Sequence, residues 1–148
     1  MSKLDDPKLV MEAFRRLVAE RGEDFVYGLE RRKEKAKALG GVYDPGSPYM
    51  SLENPLITCH YATKDGSLPD CAVGAIAFEL DRKFFDHYLR GSDNTIADIL
   101  NSYNAEIDMG RDAIAILQYI QTLQDEGLPY GKVLMRVESA YATLQSVR

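Results

Sequence analysis

Apolar positions recur with helical spacing along much of the chain. Behind Asp6 and Pro7, the residues Val10, Phe14, Leu17 and Val18 fall at i, i+4, i+7 and i+8, and Gly22 ends the run. A capping carboxylate, a proline at the first helical position and one apolar stripe predict an amphipathic helix over 7–21. Ile96, Ile99, Leu100 and Tyr103 repeat the pattern behind a cap at Ser92 or Asp93. Ala113, Ile116, Leu117, Ile120 and Leu123 follow Asp108 and stop at Gly127. Val133, Val137, Ala140, Tyr141 and Leu144 form one face of a helix opened by Pro129, so helices are expected over 109–126 and 130–146.

The segment Cys71–Phe78 is apolar or glycine at every position, and Pro69-Asp70 precedes it. Such a run reads as a buried element, and the proline with Ala72, Ala75 and Ala77 favours a central helix. Leu80, Phe84, Phe85, Tyr88 and Leu89 continue its apolar face to Gly91. Gly74 among small neighbours would let another backbone come close.

Residues 24–61 are less regular. Phe25-Val26-Tyr27 is either the start of one helix ending at Leu39 or a short strand before a separate charged helix; the β-forming trio favours the strand. Leu56–Tyr61 reads as a second strand, ended by the turn Lys64-Asp65-Gly66-Ser67. Between them, residues 41–56 hold prolines at 45, 48 and 55 with Tyr43, Tyr49 and Met50, a long Pro/Gly/Tyr loop. Long loops in compact domains tend to carry function. The expected fold is therefore mainly α, of the α+β kind: about six helices with a short two-stranded β element at one edge. At 148 residues a single globular domain over 1–148 is expected.

Composition narrows the function classes. Apolar residues make up 45% and charged residues 28%, and no run approaches a membrane span. Two cysteines do not make a disulfide scaffold, so the cytoplasm is the expected location. Net charge is −5, and the first forty residues alone are slightly basic. Their one cluster, Arg31, Arg32, Lys33, Lys35 and Lys37, is answered in part by Glu30 and Glu34. A solvated helix face is the plainer reading; a nucleic-acid footprint gripping phosphates is the alternative, and nucleic acid is not the expected partner.

Candidate chemistry is sparse. Cys59, His60, Cys71 and His87 are spaced unlike zinc ligands, and adjacent Cys59 and His60 on a strand point to opposite faces, so no metal or other cofactor is expected. Cys71 at a helix start, with His60 or His87 as base, is a weak candidate nucleophile for a small hydrolase or transferase. The flanking apolar run argues that this thiol is buried and inert. A Cys59–Cys71 disulfide is open geometrically but is disfavoured in a reducing compartment. Carboxylate pairs such as Asp81/Asp86 and Asp108/Asp112 fall mostly at helix ends and form no metal or nucleotide motif. Tyrosines are frequent, and Tyr43 and Tyr49 with Met50 in the long loop are candidate protein-contact residues.

Phe25-Val26-Tyr27, Cys59-His60-Tyr61, Asp65-Gly66 and Pro69-Asp70-Cys71-Ala72-Val73-Gly74 are arranged as in a known group. With Leu117, Gln121, Gln124-Asp125, Gly127 and Tyr130-Gly131, they resemble a family of small uncharacterised proteins of actinobacteria and their phages. Residues 28–56 and 81–112 do not share the pattern. The resemblance implies a small, mainly helical phage accessory protein acting inside a bacterial host. It also implies that Cys59 and Cys71 face each other. The expectation is a non-enzymatic protein–protein interaction protein whose partner is a bacterial host protein, and a homodimer fits the same reading.

Overall fold

The computed structural model describes residues 2–147 as seven helices around one contiguous apolar core. They are α1 Pro7–Arg21, α2 Leu29–Ala38, α3 Ala72–Leu80, α4 Arg82–Phe84, α5 Ile96–Ser102, α6 Arg111–Asp125 and α7 Tyr130–Ser146. A single 3-10 turn, Lys3–Asp5, precedes α1, and a π-type turn, Phe85–Leu89, continues α4.

The strongest periodic segments become the expected helices. Asp6 accepts the Lys8 N–H and Pro7 opens α1, whose Val10, Phe14, Leu17 and Val18 are buried. Helix α3 lies against α1 and α6, and Ala72, Val73, Gly74, Ile76 and Ala77 are all buried. Gly74 is where a neighbouring backbone comes close, since a Cβ there would stand 2.1 Å from the Tyr61 carbonyl oxygen. The apolar face running from Cys71 to Gly91 is one helix by periodicity but two in space. Asp81 takes an extended φ of −151° and caps the next turn through the Phe84 N–H, so the chain bends there. At α5 the cap is Thr95, whose side chain accepts the Asp98 N–H, rather than Ser92 or Asp93. Helix α6 starts at Gly110 without a side-chain cap.

The two-stranded β element is not formed. Among the described residues there is no strand, only an isolated antiparallel bridge between Ala62 and Pro69. The segments expected as strands do sit near each other, but side chains satisfy the backbone that a partner strand would otherwise pair. The Tyr27 hydroxyl accepts the His60 N–H at 2.9 Å, Arg31 donates to the Thr58 carbonyl, and Lys35 donates to the Leu56 carbonyl. Phe25 gives its carbonyl to the Tyr130 N–H. Buried peptide groups must be paired, yet the partner need not be a strand. Gly28, at φ 68°, then turns the chain directly into α2.

Candidate functional site

Helix α6 places two glutamines, Gln121 and Gln124, one turn apart on its buried face. Gln124 Oε1 accepts the Ala72 N–H and the Tyr130 hydroxyl, each at 2.7 Å. Gln121 Oε1 accepts the Ile96 N–H at 2.8 Å, and its amide donates to the Tyr61 hydroxyl at 2.8 Å. Ala72 and Ile96 are the first residues of α3 and α5, whose opening N–H groups have no intrahelical acceptor. One helix thus caps two others through its interior side chains. Both glutamine amides also point at the Cys59 sulfur, from 3.8 and 3.7 Å. Burial keeps the hydroxyls of Tyr27, Tyr61 and Tyr130 protonated, well above the usual phenol range, so they serve as neutral hydrogen-bonding groups.

The two thiols lie inside this network. Cys71 is fully buried and caps α3, its sulfur accepting the Gly74 N–H at 3.4 Å. The neighbouring Cys71 thiol, together with burial, pushes the Cys59 thiol far up. Neither histidine serves Cys71 as a base. His60 is half-exposed and turns its Nδ1 to Asp93 at 3.5 Å, while His87 is exposed with its ring edge-on to Tyr88. The Cys71–His60 or Cys71–His87 nucleophile pair is therefore not assembled. Among the described residues, no three His, Cys, Asp or Glu side chains converge as metal ligands.

His60 instead lines a surface cleft of about 700 Å³ with Lys64, Asp65, Asp70, Arg90 and Asp93. Opposite charges interleave along its walls, so no field of one sign develops to recruit a phosphate or carboxylate. Asp65 is occupied by its own turn: the Ser67 N–H, with the Ser67 and Thr63 hydroxyls, lowers it to about 2.

The basic cluster is divided: Arg32 is spent inside the protein, while Lys33, Lys35 and Lys37 stay on the surface. Arg32 is fully buried; its Nε donates to the Tyr27 carbonyl at 2.8 Å. Its Nη2 donates to the carbonyls of Gln124 and Asp125, closing the C-terminal end of α6. Arg31 stacks over the Tyr27 ring, and Lys33 pairs with Glu30 on the surface. A phosphate footprint needs these cations free. Asp125 stands beside Arg32, and desolvation pushes its carboxyl up to about 6 against the pull of Gln124 and Arg32.

The 41–56 segment folds against this arginine. Asn54 donates to the Ser47 and Glu126 carbonyls, and the Asp44 N–H donates to the Glu53 carbonyl. Tyr43 and Tyr49 are half-buried and share the electrostatic surroundings of Arg32, while Met50 is 67% exposed. Met50 also takes a positive φ of 72°, a conformation strained for a residue with a Cβ. Leu39, Val42, Leu52 and Leu56, near it in the sequence, are exposed as well, Val42 to 81%. Thus the two tyrosines give the loop its inner support, and aliphatic side chains make up much of its outer surface.

Sequence reasoning missed Arg32, Asn54, Gln121 and Gln124 as interior groups. For the glutamines a signal existed, since each lies four residues beyond a buried position, Leu117 or Ile120. For Arg32 the one comparable mark is Ala36, four residues on and also buried, in a helix that is otherwise mostly charged. No helix among the described residues is long and apolar enough to cross a membrane. Comparison of the chain with models of protein families, with curated proteins and with solved structures finds no match.

Proposed function

We propose that this protein acts by binding another protein through its 39–56 segment, without covalent chemistry of its own. The supporting observation is where apolar surface is left uncovered. Leu39, Val42, Met50, Leu52 and Leu56 are five of the nine large apolar side chains left exposed among the described residues. Apolar patches of this kind mark contact surfaces when a rigid frame holds them. Here Arg32 and Asn54 supply the frame, and Tyr43 and Tyr49 add the rims of their rings. Helix α2 borders the patch with exposed Lys33, Lys35 and Lys37, so a partner with an apolar centre and an acidic edge fits. The resemblance to actinobacterial and phage proteins makes a bacterial host protein, met in the host cytoplasm, the proposed partner.

The Cys71 hydrolase reading has no supporting geometry, because the thiol is fully buried and neither imidazole reaches it. The nucleic-acid reading is weakened because Arg32 is buried and Arg31 and the exposed Lys35 already donate to backbone carbonyls.

Affinity capture from a bacterial host lysate with the wild type and a Met50→Asp/Leu52→Asp variant tests the proposal. Circular dichroism first verifies that the variant is folded. The expected result is a host protein that binds the purified wild type directly and binds the variant at least tenfold more weakly. Equal recovery of every partner by both proteins overturns it. Sedimentation of both forms separates a host partner from a second copy of this chain.

A further inference from the structure

We propose that the protein binds one water molecule as a fixed part of its interior, between Arg32 Nη1 and Asn54 Oδ1 at the C-terminal end of α6. Two buried side chains reach this spot from different parts of the chain, and each brings a polar atom that no other protein group satisfies. Arg32, from α2, is 0% exposed. Its Nε and Nη2 donate to the carbonyls of Tyr27, Gln124 and Asp125, whereas Nη1, with two further N–H groups, has no acceptor. Asn54, from the 41–56 segment, is 3% exposed. Its amide nitrogen gives both hydrogens to the Ser47 and Glu126 carbonyls, which fixes the way the group faces and leaves Oδ1 without a donor. Tyr43 likewise buries an unpartnered hydroxyl, so the 41–56 segment is short of hydrogen bonds at two interior atoms.

Gly127 shows that the arginine and asparagine atoms share one place. A Cβ on this residue would stand 3.2 Å from Arg32 Nη1 and 3.3 Å from Asn54 Oδ1, so both atoms border a single point beside its Cα. They nevertheless make no hydrogen bond to each other.

The chemistry of the two atoms selects the guest. It must accept a hydrogen bond from a cation and donate one to a neutral amide oxygen. Chloride or a carboxylate accepts but has no proton to give, and Asn54 Oδ1 repels it. An ammonium ion donates, but the guanidinium repels it. Water does both, and interior waters hold such positions, bridging buried groups that find no partner in the protein. A buried charge in particular persists only where its N–H groups are satisfied. The bridge ties the segment that carries the exposed apolar side chains to the helix end beneath it. Both atoms are closed to solvent, so the water leaves only when the surrounding structure opens.

A crystal structure of the full-length protein grown in sodium bromide tests the assignment, because bromide replaces chloride and scatters anomalously. The expected result is one ordered peak, about 2.7–3.2 Å from both Arg32 Nη1 and Asn54 Oδ1, with the electron count of water and no anomalous signal. Anomalous scattering there would make the guest an anion and overturn the proposal. So would empty density, or a direct Arg32–Asn54 hydrogen bond. In solution, the Gly127 protons should show NOE and ROE cross-peaks with water of opposite sign, the mark of a molecule that tumbles with the protein. Cross-peaks of equal sign, as surface water gives, would overturn a resident water. Both measurements use the wild type, so neither depends on a variant folding. Both also read the site alone, whether or not the outer face of the segment binds a partner.

Discussion

Gln124 Oε1 lies 2.7 Å from the Ala72 backbone nitrogen and closes the N-terminus of α3 from the far side of the core. The same oxygen accepts the Tyr130 hydroxyl. One amide thus joins α3, α6 and the start of α7. Replacing it by an apolar side chain of similar size leaves two buried donors without an acceptor, each costing about 1–3 kcal/mol. Gln124→Leu should lower unfolding stability by about 3 kcal/mol. Urea denaturation checks this, and a loss within experimental error would remove the network from the account of the fold.

Gly74 and Tyr61 make the closest backbone approach to α3, and a methyl group has nowhere to go against a carbonyl oxygen. Gly74→Ala should cost about 3 kcal/mol, the upper range for an overpacked core position. A thermal melt unchanged from wild type would contradict the packing described.

Arg32 and its sequence neighbours should behave oppositely. Arg32→Met strips three carbonyls, those of Tyr27, Gln124 and Asp125, of a shared donor and should destabilise by about 3 kcal/mol. Lys33→Gln and Lys37→Gln, on the exposed face, should stay within about 0.5 kcal/mol of wild type. Similar losses for all three would mean that Arg32 is not buried.

Asp125 gives a pH dependence with a definite sign. Its folded pKa of about 6 lies above the ordinary carboxylate value, so the native state holds the proton that the unfolded chain has already released. Its contribution is fully present below about pH 4 and is lost as pH rises through about 6, a difference of roughly 3 kcal/mol. Asp125→Asn should therefore be more stable than wild type at pH 7.5 and should flatten the stability profile between pH 4 and 7. Denaturation at several pH values reads this directly; an Asn variant less stable at pH 7.5 would reverse the sign.

Met50 separates folding from function. Its left-handed backbone suits asparagine better than methionine. Met50→Asn should hold or raise stability by about 0.5 kcal/mol while weakening partner binding, because the exposed thioether is gone. A variant that loses stability would show that the positive φ is not strained.

Local pattern alone was enough for α1, α6 and α7, because the apolar stripe of each is contiguous in the chain, although only α1 has a side-chain cap. Asp6 with Pro7 and Gly22 act on their own neighbours at α1, and Val133 and Val137 follow Pro129 at α7, where the distant Phe25 and Glu23 carbonyls only add acceptors for the first N–H groups. The same reading made Cys71 an interior residue, since an unbroken apolar run around a thiol has nowhere to go but inward. The 25–61 region was decided only in three dimensions. Phe25–Tyr27 and Leu56–Tyr61 have strand composition, but Tyr27, Arg31 and Lys35 satisfy backbone groups of the latter segment from outside it. Such bonds join residues far apart in sequence, and no local periodicity records them. Arg32 reads as one more surface cation until the end of α6 is brought over it. The polar surroundings of the Cys59 sulfur likewise depend on where Gln121 and Gln124 arrive. Helices follow from interactions within a few residues, whereas partners in a buried polar network are chosen by the packing of whole helices.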